Sequence, residues 1–261
     1  MGVVWSAEDE LLCRPVALKQ AMLNDPASEE SRKATLVRAL GEARAAARVR
    51  HDGVVAVHDI VKDNERRPWI VMELLSGPTL AELLDAEGPL SVEEVTRVGG
   101  CLLDALEATH RAGVVHGDVK PGNVQLCENG RVVLTDFGIA QDTDHGSGSL
   151  TPMFAGSPAY VSPERLGGGR PEPASDLYSL GATLFTAVEG RPPFDKGDLY
   201  ATLTAVACDE PVLVRAGPLR PVIEGLLAKE PDRRLNTVQT RAALRAVDRV
   251  RPTPNTIRCF R

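Results

Sequence analysis

The break at Gly77-Pro78 constrains this chain most, because the hydrophobic periodicity changes there. Upstream, Val3 to Ala7, Val16 to Gln20, Val54 to Val61 and Trp69 to Glu73 are short β-rich runs, the second pair turning around Asp63-Asn64. Between the pairs, a helix is predicted from about Ser28 to Arg48, with Leu36, Leu40, Ala43 and Ala47 on one stripe. Downstream, helical patterns dominate to about residue 250. Ser91 and Glu94 have the spacing of a capping box, and Gly113 suits the left-handed residue that ends the helix they open. One β pair interrupts this region, Val124 to Leu126 and Val132 to Thr135, around Asn129-Gly130, which predicts a type I′ hairpin. The fold class is therefore α+β, a small antiparallel sheet with one helix followed by a mainly helical part. Arg251 to Arg261 contains two prolines and reads as an unstructured tail.

At 261 residues, 43% hydrophobic and 25% charged, the composition suits one or two compact lobes. A formal net charge of -6 argues against a sequence-independent grip on nucleic acid or an anionic membrane. Cys13, Cys101, Cys127, Cys208 and Cys259 are odd in number and form no C-x-x-C pair, which points to a reduced, cytoplasmic setting. No apolar run approaches the roughly 20 residues of a membrane span, and the first residues lack the order of a signal peptide. Met1 to Ser6 matches a short N-myristoylation pattern, but Gly2 has a better explanation below.

The chemistry concentrates in two segments. His116-Gly117-Asp118-Val119-Lys120-Pro121-Gly122-Asn123 places a carboxylate, an ammonium and an amide in one loop between a helix and a strand. Asp136-Phe137-Gly138 follows the hairpin. Asp118, Asn123 and Asp136 are hard oxygen donors, suited to magnesium and to positioning a hydroxyl. Alone, each has a blander reading, since an Asp or Asn before a strand is usually turn chemistry and a Lys on a strand is usually a surface charge.

Together, these segments resemble the H-R-D-L-K-P-x-N and D-F-G motifs of protein kinases, in the family's order. Val16-Ala17-Leu18-Lys19 resembles the V-A-I-K strand, and Glu42 lies in the helix that supplies the lysine's partner, flanked by the small Ala39 and Ala46. Gly156-Ser157-Pro158-Ala159-Tyr160-Val161-Ser162-Pro163-Glu164 resembles the end of an activation segment, with Ser162-Pro163-Glu164 in place of A-P-E. Ser175 to Gly181 resembles the helix that anchors the catalytic loop, and Glu230 to Arg234 the late D-P-x-x-R motif. The match spans nearly the whole chain and reads closest to the bacterial eukaryotic-like serine/threonine kinases.

The resemblance implies a two-lobed kinase fold: an N-lobe over residues 1–74, a hinge at 75–78, a C-lobe over 79–250 and a tail at 251–261. It implies ATP- and magnesium-dependent phosphoryl transfer to serine or threonine of protein substrates. Lys19, held by Glu42, is implied at the α- and β-phosphates, Asn123 and Asp136 at the metal, Asp118 as acceptor of the hydroxyl proton and Lys120 at the γ-phosphate. Adenine is implied between Val4 and Ala17 above and the strand after Asn123 below, bonded to the backbone of Glu73 and Leu75, with Met72 as gatekeeper. Ser157 is implied to link the peptide-binding segment to Asp118, and Arg234 to pair with Glu164. Thr143, Ser147, Ser149 and Thr151 are candidate autophosphorylation sites.

Four departures qualify the match. Gly117 replaces the arginine that normally receives an activation-loop phosphate, Gln125 an apolar adenine contact that is expected to bend away or bond water, and Ala46 a bulkier neighbour of Phe137. Met1 to Ala7 fits only the end of the glycine-rich loop, with Gly2 as its third glycine, so a first strand and two glycines are expected upstream. Two other functions share the pattern. A small-molecule phosphotransferase of the aminoglycoside-kinase type carries the H-G-D form, and a pseudokinase scaffold is compatible with a shortened loop.

Overall fold

The computed structural model describes residues 3–20, 29–64, 67–137 and 158–249. Four antiparallel strands form the first lobe: β1 (Val4–Asp9), β2 (Arg14–Gln20), β3 (Val57–Lys62) and β4 (Pro68–Glu73), in the order β1-β2-β4-β3. In β4 the burial alternates, with Pro68, Ile70 and Met72 turned inward, as the two-residue period of a strand requires. Helix α1 (Glu29–Arg48) lies across β3 and β4. Its Ala39 and Ala43 pack against Ile70, and such small side chains let a helix approach a sheet closely. The predicted strand from Val54 starts later, at Val57, because Val54 and Val55 instead bond to the second lobe: Val55 N–H donates to Leu134 O at 3.1 Å.

The second lobe is helical: α2 (Leu80–Glu87), α3 (Val92–Arg111), α4 (Pro163–Leu166), α5 (Pro173–Glu189), α6 (Leu199–Cys208), α7 (Arg220–Leu226) and α8 (Thr237–Arg249). The capping box at Ser91 and Glu94 forms, and Gly113 follows α3 at a left-handed φ of 69°. Every residue of α5 from Ser175 to Val188 is buried, which makes it the central rod of the lobe. Gly181 allows α5 and α7 to touch, since a Cβ there would lie 2.7 Å from Leu226 Cβ. Strands β5 (Val124–Leu126) and β6 (Val132–Leu134) pair as a hairpin, but not through a type I′ turn. Gly130 has a φ of 83° whereas Asn129 does not enter the left-handed region, and Gly130 N–H donates to Cys127 O at 2.8 Å. The five-residue connection from Cys127 to Arg131 is long enough for a type I turn closed by a left-handed glycine, so Asn129 need not adopt positive φ.

Candidate active site

The cleft between the lobes gathers charged groups from four separate stretches of chain. Lys19 extends from β2, where the paired strands hold it opposite Ile70. Its Nζ lies 2.6 Å from Glu42 Oε1 on α1 and 2.9 Å from Asp136 Oδ1. Burial disfavours the Lys19 ammonium, but the carboxylates of Asp136 and Glu42 outweigh it and raise its pKa. Burial raises the Glu42 carboxyl, against the pull of Lys19. The two directions agree on one point: Lys19 stays charged, while Glu42 is the member that acid protonates first.

Below the cleft, Asp118 Oδ2 accepts from Lys120 Nζ at 2.7 Å and from Asn123 Nδ2 at 2.8 Å. Asn123 Nδ2 also donates to Asp118 O at 2.8 Å, which orients the amide and leaves its Oδ1 as the group available to a cation. Asp136 has a φ of 60°, unusual for a residue with a side chain and held here by the packing around it. The next residue, Phe137, is buried against the His116 ring at a centroid separation of 4.7 Å and shares a core with Ala46.

His116 is fully buried, and burial depresses its pKa, so the ring is neutral. Its Nδ1 accepts from Asp118 N–H at 3.2 Å, so Nε2 carries the proton and donates to Thr135 O at 3.0 Å. Asp176, from α5, accepts from the backbone N–H of His116 at 2.9 Å and of Gly117 at 2.8 Å. The His116 ring thus links the backbone of Asp118 to that of Thr135, the residue before Asp136.

Where the two lobes meet, Met72 and Ala17 pack with Val55, Cys127 and Val133, with Leu75 against them. Glu73 N–H donates to Ala56 O at 2.9 Å, so this N–H is already engaged. Val4 is half exposed above this cluster, on edge strand β1. Gln125 bonds protein rather than water: its Nε2 donates to Gly77 O, two residues before Thr79, its partner in an isolated bridge.

Glu164 and Arg234 meet in a two-pronged pair, Nη1–Oε1 2.9 Å and Nη2–Oε2 2.9 Å. Gly2, Gly138, Thr143, Ser147, Ser149, Thr151, Ser157 and the tail lie outside the described residues. Three residues escaped the sequence reading. His110 Nε2 lies 2.7 Å from Asp176 Oδ2. Arg165 Nη1 donates to Gly117 O at 2.8 Å. Arg131 grips Glu73 Oε2 at 3.0 Å and, through Nη2, Asp52 O at 2.7 Å behind the hinge. None has a local signature, since each acts on a partner at least 48 positions away.

A two-lobed fold with these groups facing one cleft defines a phosphotransferase of the kinase type. The sequence profile of the protein kinase domain matches residues 1–243, so the chain belongs to the protein kinase family. It is 42% identical to the serine/threonine-protein kinase PknL of Mycobacterium tuberculosis over 193 residues, covering 74% of this chain and 47% of that protein. It is 37% identical to the serine/threonine-protein kinase PknA of the same species over 241 residues, 88% of this chain and 54% of the relative. A probable serine/threonine-protein kinase of Streptomyces coelicolor, SCO3848, is 41% identical over 199 residues, 74% of this chain and 29% of its own. The chain thus spans about half the length, or less, of the curated relatives it matches. Among the described residues, no helix is long and apolar enough to cross a membrane.

Proposed function

We propose that this chain transfers the γ-phosphoryl group of magnesium-bound ATP to serine or threonine hydroxyls of proteins. The observation that carries the reading is the Asp118 carboxylate, held at one oxygen by both Lys120 and Asn123. That leaves its other oxygen to orient a hydroxyl and accept its proton. Lys120, a single point charge beside Asp118, is placed to follow the transferring phosphoryl group. Lys19, kept charged by two carboxylates, is suited to the α- and β-phosphates. Met72, Ala17 and Leu75 offer an apolar slot for adenine.

The Asp136 carboxylate and the Asn123 amide oxygen fit magnesium, which takes one or two hard protein oxygens and completes its shell with phosphate and water. When bound, the ion neutralises charge on the phosphates. Glu164 and Arg234 brace the peptide-docking side, where the substrate protein is expected to lie. Nothing in the fold or the relatives favours a small-molecule phosphotransferase or a scaffold. The test is transfer of labelled phosphate from magnesium-ATP to the protein itself and to casein. Asp118→Asn should lower kcat by about 100-fold or more at unchanged Tm, because the amide keeps the size but not the basicity. Turnover within a few-fold of the parent would sink the assignment.

A further inference from the structure

Gly117, immediately before Asp118, is clamped through both of the peptide groups that flank its Cα. Its N–H donates to Asp176 Oδ1 at 2.8 Å, and its carbonyl accepts from Arg165 Nη1 at 2.8 Å. Both clamping residues are charged and buried, Asp176 to 1% and Arg165 to 4% exposure. They come from different elements, Asp176 from α5 and Arg165 from α4. Burying a guanidinium is unfavourable unless it is bonded, and the Gly117 carbonyl is a group this buried arginine bonds.

Gly117 sits at a φ of 77°. Glycine reaches this conformation without strain but leaves it just as freely, so its peptide planes rotate unless bonded from outside. A rotation there would swing Asp118, whose carboxylate otherwise depends on Lys120 and Asn123 from its own loop. Arg165 directly follows Glu164, which Arg234 fixes through both carboxylate oxygens, so the guanidinium is anchored at its base.

We infer that Arg165 is a positioning residue: it supplies, from the end of the peptide-docking segment, a guanidinium that holds the glycine-bearing catalytic loop with Asp118 in register. The inference rests on the phosphotransfer reading above. It also predicts that the loop and the docking segment move as one unit.

The test compares Arg165→Gln and Arg165→Lys with the parent chain in two measurements. One is kcat and KM for magnesium-ATP with casein as acceptor; the other is amide hydrogen exchange of residues 114–120. Arg165→Gln should lower kcat roughly 10- to 100-fold, the cost of about 1 Å of misplacement, with KM for magnesium-ATP within about twofold. Exchange at 114–120 should rise while that of α3 and α5 holds. Lysine, which retains one donor, should recover part of kcat and of the protection. Unchanged kcat, unchanged exchange at 114–120, or loss of protection throughout the helical lobe would each overturn the inference. If the parent chain transfers no phosphate, the functional reading fails by itself, and the exchange arm still decides whether Arg165 clamps the loop.

Discussion

The two lobes bury their side chains in different ways. The helical lobe has one continuous core in which Tyr178, Phe185, Phe194 and a run of leucines from α2, α3 and α5 are fully enclosed. The sheet lobe has two small clusters, one of Ala39, Ala43 and Ile70, the other built around Ala17 and Met72 and completed by residues of the helical lobe. Val4 and Trp5 on its edge strand remain largely exposed. A region with so few buried apolar contacts opens at lower free energy than one built around a buried central helix. The lesson concerns the ion pairs. Glu164–Arg234 is a structural joint in the firm lobe, whereas Lys19–Glu42 lies within the sheet lobe and Lys19–Asp136 ties that lobe to the helical one.

Removing Arg234 tests the first half of that contrast. Its side chain is 1% exposed and also donates to the carbonyls of Ala228 and Ala174. Arg234→Met should cost about 3–5 kcal/mol in urea unfolding, because it leaves a carboxylate and several carbonyls without their donor. A loss under about 1 kcal/mol would break the comparison.

Lys19→Met tests the other half. Phosphoryl transfer should fall on the order of 100-fold, as for removal of one charged stabiliser, with a smaller loss of unfolding free energy than for Arg234→Met, because burial already favours the protonated form of Glu42. A large loss of stability would make the pair structural after all.

Acid sharpens the contrast, because the two glutamates shift in opposite directions. Burial raises the Glu42 carboxyl more than Lys19 lowers it. At Glu164 burial also raises the carboxyl, but the hydrogen bonds and charge of Arg234 win, and it lies below the ordinary glutamate value of 4.5. Depressed in the folded state, Glu164 stabilises the fold above 4.5, and that contribution is lost as pH falls through its folded pKa. Glu42 takes up its proton above 4.5, which weakens its hold on Lys19, leaving the Asp136 pair, at no cost to the fold. On acidification, kcat/KM should therefore decline before the circular dichroism signal does, and Glu42→Gln should remove that early decline. Coincident transitions would contradict the ordering.

The smallest effect is local. Ser91→Ala removes the hydroxyl that accepts from Glu94 N–H, and should cost about 1 kcal/mol of global stability, since α3 belongs to the cooperative core of its lobe. An effect confined to fraying of the first turn, visible as faster exchange without a shift in Tm, would show that even the firm lobe yields locally.

The sequence, through its resemblance to kinase motifs, singled out Lys19, Asp118, Asn123 and Asp136, each at a fixed offset within a short pattern. It also gave the order of strands and helices and the cap at Ser91, which depend on neighbours a few residues away. It misjudged what depends on distant partners. Val54 and Val55 have strand chemistry but bond to the β6 hairpin, and Asn129-Gly130 has type I′ chemistry but lies in a longer connection. Gln125 could be recognised as a departure, yet its partner, the Gly77 carbonyl, exists only once the hinge passes over β5.

The sequence by itself determined which residue types are present for the chemistry and how the chain divides into sheet and helices, because both follow from local spacing and periodicity. The Lys19–Glu42 and Glu164–Arg234 pairs were implied by the family resemblance, and only the tertiary structure decided which further groups the charges meet. Lys19 lies between Glu42 and Asp136, Asp176 beneath the backbone of His116 and Gly117, and Arg165 against the Gly117 carbonyl. The physical reason is that a buried charge must be matched by groups brought close in space, and those are set by how the lobes pack rather than by the residues beside it in the chain.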